Sequence, residues 1–344
     1  MEQKMALQIQ NLKTQFFTSK GIVPAVDDVT ISIPKGKIVG LVGESGCGKS
    51  MTAMSVMQLL RKPGKVVSGE IRLDGKNLLE CSKKEMLEIR GDRMAMIFQE
   101  PMTSLNPVYT VGKQVREAIL LHQNMTKEQA KQKTIQIFKQ VGIPDAEKRY
   151  HAYPHQLSGG LRQRVMIGMA MVCEPDILIA DEPTTALDVT IEAQILQLMR
   201  ELRDKHGTSI LMITHNMGVV AEVCDYVYVM YAGKVMEQGE TFELFRNTSH
   251  PYTSGLLRSI PQMDEKKERL YSIRGMVPNL LELPKGCSFC NRCEYANERC
   301  TEERPLLLQT GKEHGVRCFL YEKEGKNLES ETADNGREEK WDER

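Results

Sequence analysis

The chain has 344 residues, enough for one full-sized core and a second, smaller unit. Lysine plus arginine and aspartate plus glutamate number 46 each, so the formal charge is zero and no basic stripe marks a nucleic-acid partner. The longest apolar stretches, such as residues 165–173, fall far short of the ~20 residues of a membrane helix, and the first six residues lack the basic start and apolar core of a secretory signal, which points to the cytosol.

The chain opens with β-type alternation at residues 7–12 and again at 29–34. Between them, Phe16 and Phe17 offer aromatic faces that either stack on an adenine or pack in the sheet, and Phe17 is the candidate for the base. Residues 37–42 form a short apolar run of buried-strand type, and residues 51–60 read as a helix with an apolar face. The segment joining them, residues 43–50, reads Gly-Glu-Ser-Gly-Cys-Gly-Lys-Ser and fits the phosphate-loop pattern G-x-x-x-x-G-K-[ST]. Gly43, Gly46 and Gly48 free the backbone to turn successive N–H groups inward around an anion, so Glu44, Ser45, Cys47 and Met51 join the cradle. Lys49 reaches the β- and γ-phosphates, and the Ser50 hydroxyl is an oxygen ligand for Mg²⁺.

Residues 67–75 read as a strand closed by Asp-Gly, residues 83–90 as a short charged helix, and residues 94–98 as a buried strand whose end presents Gln99. A polar loop with two prolines follows at 101–107. Helical patterns at 111–122 and 126–141, the second with capping-box spacing at Thr126 and Gln129, predict an inserted helical layer. His151, His155 and His206 read as surface or capping residues, because no partner is spaced to join them. At residues 157–164, Leu-Ser-Gly-Gly-Leu-Arg-Gln-Arg, Ser158 stands where an N-cap belongs, and Gly159 and Gly160 uncover the first-turn N–H groups of a helix running to about Cys173. That end is a second anion site.

Residues 176–183 read as an apolar strand that ends in two adjacent carboxylates. Asp181 is placed to hold Mg²⁺ and Glu182 to polarise an attacking water. A helix from about Thr190 to Lys205 and a buried strand at 209–214 lead to His215, read as a γ-phosphate contact. Gln99, Asp181, Glu182 and His215 thus stand at the ends of strands, where open parallel sheets bind ligands.

In this order, the phosphate loop, Gln99, the Leu-Ser-Gly-Gly-Leu-Arg-Gln segment, Asp181 with Glu182, the Ala186-Leu187-Asp188 loop and His215 resemble the ATP-binding cassette ATPases. The finer resemblance is to the ATPase subunits of oligopeptide and dipeptide importers. It rests on residues 99–107, 184–188 and 250–257 and on the cysteine-bearing tail, with Asn216 standing where relatives commonly carry Asp. The resemblance implies an α/β P-loop NTPase fold of ABC type: a mixed sheet, a β-rich opening and an inserted helical subdomain at about 100–175, together spanning 1–258. It implies a small Cys-rich extension at 259–320, and the charged residues 321–344 read as a disordered tail. It further implies an ATPase with Lys49, Gln99, Glu182 and His215 catalytic, and Ser50, Gln99 and Asp181 around Mg²⁺. The Ser158, Gly159 and Gly160 end would close over ATP on a second, homologous but distinct cassette chain. Two membrane permease subunits, an indirect external peptide-binding protein and a peripheral seat on the cytoplasmic side of the membrane complete the implied assembly, which would import peptides. Nickel or another small solute is the alternative cargo, and a cassette protein acting on ribosome or DNA is the alternative class.

Nine cysteines are unevenly placed, with Cys287, Cys290, Cys293, Cys300 and Cys318 in the last sixth. Importers of this group carry there a four-cysteine site that looks like a [4Fe-4S] centre, which implies Cys287, Cys293, Cys300 and Cys318 as ligands. By residue type alone a Cys₄ zinc site, or reduced thiols without metal, remains open, and Cys290 leaves the choice of four unsettled.

Overall fold

Two long strands open the chain in the computed structural model, which describes residues 4–99, 104–185, 189–260, 271–322 and, for the backbone alone, 326–327. β1 (Met5–Thr18) and β2 (Gly21–Pro34) pair antiparallel, and β4 (Gly64–Leu73) and β5 (Lys76–Asn77) extend them into a four-stranded sheet ordered β2-β1-β4-β5. Alternation decides its faces. Leu7, Ile9, Ile31, Ile33, Ile71 and Leu73 point into one core while the residues between them are more open to solvent.

The second sheet is mixed. β3 (Ile38–Val42), β6 (Met94–Ile97), β7 (Ile177–Asp181), β8 (Ser209–Thr214) and β9 (Tyr226–Tyr231) run parallel in the order β9-β3-β8-β7-β6. β3, β7 and β8 are buried at every residue, as uninterrupted apolar runs require when both faces of a sheet are covered. Successive side chains divide between two cores. Val39, Leu41, Ile177, Ile179, Leu211 and Ile213 face the core beneath the antiparallel sheet, which also takes Ala53 and Val56 of the helix Lys49–Val56. Ile38, Val42, Leu178, Ala180, Ile210 and Met212 face the other core, which is continuous with the helical layer.

That layer contains the helices Val111–His122, Lys127–Gln140, Ala146–Arg149 and Gly159–Met171. Thr126 and Gln129 cap each other's backbone N–H as their spacing predicts, at 3.3 and 2.9 Å. Residues 100–103, most of the tail beyond 322 and the segment 186–188 that the sequence reading singled out lie outside the described residues. No helix among the described residues is long and apolar enough to cross a membrane.

The C-terminal extension does not stand apart from the large sheet. β10 (Lys234–Glu240) pairs with β9, and β12 (His314–Val316) then pairs with β10, placing Val316 opposite Glu237. β11 (Leu308–Gly311) and β13 (Lys326–Asn327) continue outward. Side chains seal the seam. The buried Glu237 carboxylate meets His314 Nε2 at 2.8 Å, and Arg317 Nε donates to the Val235 carbonyl at 3.0 Å. Residue 258 therefore does not divide the sheet, because strands from both sides of it share one ladder.

Candidate functional site

Parallel register brings four strand ends to one edge. Val42 lies opposite Thr214, Ile213 opposite Asp181 and Ala180 opposite Ile97, so the residues that follow each strand emerge side by side. The loop after β3 has no room for side chains at two of its glycines. A Cβ on Gly43, with φ 148°, would lie 2.2 Å from the Met230 carbonyl oxygen, and one on Gly48, with φ 108°, 2.4 Å from that of Ala25. Gly48 is also the N-cap of the helix Lys49–Val56 and brings no capping side chain, so the first-turn N–H groups are left for an anion. Lys49 Nζ, on a residue only 5% exposed, donates to the carbonyls of Gly43 and Glu44 at 2.7 and 3.0 Å. Ser45, Gly46 and Met51 complete the loop and its helix start. Burial raises the Cys47 thiol above its ordinary range, so it fills space under the loop rather than acting as a nucleophile.

Two carboxylates face this loop from the end of β7, in different environments. Asp181 is 4% exposed and accepts from the Ser50 hydroxyl at 3.1 Å. Its pKa is raised, by burial first and by the neighbouring charge of Glu182, against the opposing pull of Ser50 and Lys49. Such a site gains from a cation. Glu182 takes a left-handed φ of 47°, which turns its carboxylate toward three partners. Gln99 Nε2 and the Thr185 hydroxyl donate to one oxygen at 3.0 and 2.9 Å, and His215 Nδ1 lies 3.1 Å from the other. Burial pushes its pKa up, but the bonds to Thr185 and His215 outweigh it and hold the carboxyl below its usual range.

The remaining predicted residues fall elsewhere. Ser158 caps the helix Gly159–Met171 weakly, accepting from Leu161 N–H at 3.4 Å, and a Cβ on Gly159 would meet nothing within 4 Å. Among the described residues no hydrogen bond links Ser158, Gly159 or Gly160 to the phosphate loop, although Gln163 of that helix donates to the Pro183 carbonyl at 2.6 Å. Phe17 presents an exposed ring near Lys65, whereas Phe16 packs against Gly64, which separates the two adjacent aromatics. Asn216 caps the helix Met217–Val223 through the N–H groups of Gly218 and Val219, a role that Asp fills equally well. Thr185 is the partner of Glu182 that sequence reasoning missed, since a threonine in a loop carries no distinguishing pattern.

The five C-terminal cysteines line one small cavity of about 70 Å³, which Phe289, Phe319, Leu320 and Pro305 also wall. Cys287 N–H donates to the Cys300 carbonyl at 2.8 Å, and Cys290 and Cys293 follow on successive turns. Burial pushes the Cys287 thiol up to about 12 and that of Cys318 up to about 11. Among the described residues no three His, Cys, Asp or Glu side chains close on a point as the ligands of a single ion must.

Two family models match the chain: ABC transporter over residues 26–185, and oligopeptide/dipeptide transporter, C-terminal region, over residues 236–300. The oligopeptide transport ATP-binding protein AppD of Bacillus subtilis is 51% identical over 93% of this chain and 98% of its own length. The dipeptide transport ATP-binding protein DppD of Escherichia coli is 47% identical over 88% and 92%. Among solved structures, a dimer of the ATP-binding cassette MJ0796 in a post-hydrolysis state with ADP and Pi superposes with a TM-score of 0.63 at 26% identity, covering 68% of this chain and 98% of that one. With its phosphate loop, paired carboxylates and C-terminal region in place, the chain belongs to the ATP-binding subunits of the ABC transporter family, in the oligopeptide/dipeptide transporter group.

Proposed function

We propose that this chain hydrolyses ATP to drive import of di- and oligopeptides, as a peripheral subunit on the cytoplasmic side of the membrane. Two permease subunits and a second, homologous cassette chain complete the machine, and an external binding protein delivers the cargo. The peptide cargo is supported by the names of the relatives and by the match to the C-terminal region model. The observation that carries the chemistry is the Glu182 carboxylate, held by Gln99, Thr185 and His215 beside the bonded pair of Ser50 and Asp181.

In this reading the N–H groups of residues 43–51 and the Lys49 ammonium bind the phosphates, and the exposed Phe17 ring takes the adenine. Ser50, Asp181 and Gln99 would hold Mg²⁺, which neutralises phosphate charge when bound. Glu182, kept anionic by its partners, orients and polarises the attacking water, and His215 contacts the γ-phosphate. Ser158, Gly159 and Gly160 close over the nucleotide of the partner cassette, consistent with a helix start left open to its surroundings.

Cys287, Cys293, Cys300 and Cys318 hold a [4Fe-4S] cluster in this reading, with Cys290 as a spare thiol. Support comes from the five cysteines lining one small cavity and from their residue type, since thiolates are the ligands of such clusters. The cluster would be a structural staple with no part in the hydrolytic step itself.

Turnover of ATP by the assembled complex tests the central assignment. Glu182→Gln is expected to retain ATP binding while turnover falls about 10²- to 10⁴-fold. Undiminished turnover would move the chemistry to the partner's site. Stimulation by peptide-loaded binding protein, but not by nickel, supports the cargo, and iron with labile sulfide in the purified chain supports the cluster.

A further inference from the structure

Glu44, the first variable residue of the phosphate loop, turns none of its polar groups to solvent alone. Its N–H donates to the Tyr252 hydroxyl at 2.8 Å, and its carbonyl accepts from Lys49 Nζ at 3.0 Å. Its carboxylate receives a two-pronged bond from Arg292, Nη1 to Oε2 at 2.5 Å and Nη2 to Oε1 at 3.0 Å. These residues lie 248 positions apart in sequence.

Arg292 is 4% exposed in its side chain, and its N–H groups are fully engaged. Nε donates to the Arg274 carbonyl at 2.9 Å, Nη1 also to the Tyr231 hydroxyl at 3.3 Å, and Nη2 also to the Ile273 carbonyl at 3.4 Å. The guanidinium further lies over the rings of Tyr231 and Phe289. These rings and that of Tyr252 form one cluster, with centroids 4.7 to 5.3 Å apart. Arg292 sits between Cys290 and Cys293, both of which line the cysteine cavity. A continuous chain of contacts thus runs from that cavity to the mouth of the phosphate loop.

We propose that Arg292 is a positioning residue for the nucleotide site: from the cysteine-bearing segment it fixes Glu44 and thereby holds the phosphate loop in its anion-binding shape. The proposal rests on residues 43–50 being the ATP site. A loop whose N–H groups must aim at phosphates loses affinity when its first variable residue is free to swing, and Arg292 opposes that swing through a rigid planar fork. By linkage, nucleotide on the loop favours the folded cysteine segment by the same factor.

The test uses the full chain in complex with its membrane subunits and measures Kd for a fluorescent ATP analogue, KM, kcat and the unfolding midpoint. Arg292→Ala is expected to raise Kd and KM about tenfold while kcat changes about twofold or less. Arg292→Lys, which keeps the charge but not the fork, should fall between. Glu44→Gln should reproduce the effect, and adding Arg292→Ala to it should cost no further affinity. Arg299→Ala, on the same extension but paired with Glu303 and Glu322, should leave Kd unchanged. Native affinity in Arg292→Ala with a lowered midpoint would overturn the proposal and leave Arg292 a staple of the extension. Additive effects of Arg292→Ala and Glu44→Gln would overturn it equally. Should Arg292→Ala not fold, native Kd in both Arg292→Lys and Glu44→Gln decides against it. Failure of the underlying reading looks different: the native chain would then bind no better than Lys49→Ala.

Discussion

At the parallel-sheet edge Gly43, Glu182 and His215 each directly follow a fully buried strand and Asp181 ends one, whereas in the cysteine pocket five thiols sit on short turns and helical turns between residues 287 and 318. The first region borrows its rigidity from the sheet. The second borrows from its neighbours, through Phe289 in the aromatic cluster, β12 on β10, and Arg304 reaching Asp27 of β2 at 3.4 Å. A site of the first kind is damaged by changing its backbone, and one of the second kind by cutting its ties.

The largest expected effect comes from backbone. Gly43→Ala sets a Cβ 2.2 Å from a backbone oxygen at a φ open to glycine, and ATP affinity should fall at least about 100-fold by equilibrium binding. Gly46→Ala meets no atom within 4 Å, bears only its left-handed φ of 80°, and should cost about 1 kcal/mol of stability in denaturant titration. Equal losses at the two glycines would mean that space around the loop does not matter.

A smaller effect is expected from the pocket. On the proposed cluster, Cys318→Ser should remove iron from the purified chain and lower its unfolding midpoint, with ATP affinity reduced less than in Gly43→Ala. An unchanged midpoint would show that the extension holds without its cysteines.

The smallest concerns the tie at Asp27, which meets Lys234 at 2.9 Å. Burial works against both charges. At Asp27 the bond and charge of Lys234 outweigh burial and lower the pKa; at Lys234 burial wins and lowers it, so the pair's net worth is modest. A carboxylate with a depressed folded pKa contributes stability that is fully present above its unfolded value near 3.8 and is lost as pH falls through the folded one. Asp27→Asn should therefore lose about 1 kcal/mol at pH 7, and the gap to the native chain should narrow as the pH falls below that value. A gap independent of pH would assign the loss to packing.

The same contrast governs what was legible in the sequence. Apolar runs ending in Asp181, Thr214 and Ile97 foretold the sheet edge, because a strand buried on both faces leaves only its end free to act. The Ser158 cap and the Thr126 box were legible for the same local reason. Thr185, Tyr252 and Arg292 were not. Their roles depend on groups at separations of 3, 208 and 248 residues, and even the nearest depends on the unusual φ of Glu182. The extension's seam was equally hidden: residues 314–316 are too short for periodicity, and the pairing that gives them meaning lies in β10.

That seam makes the extension an edge protector. Without residues 307–317, β10 would present the backbone groups of Glu237 and Gln238 along an open strand, the state in which sheets recruit other chains. Glu237 would also lose its imidazole partner while keeping the N–H groups of Ser249 and His250. The edge of β10 is thus covered by the same extension that carries the cysteines, and a chain shortened there should associate along that strand before it loses activity.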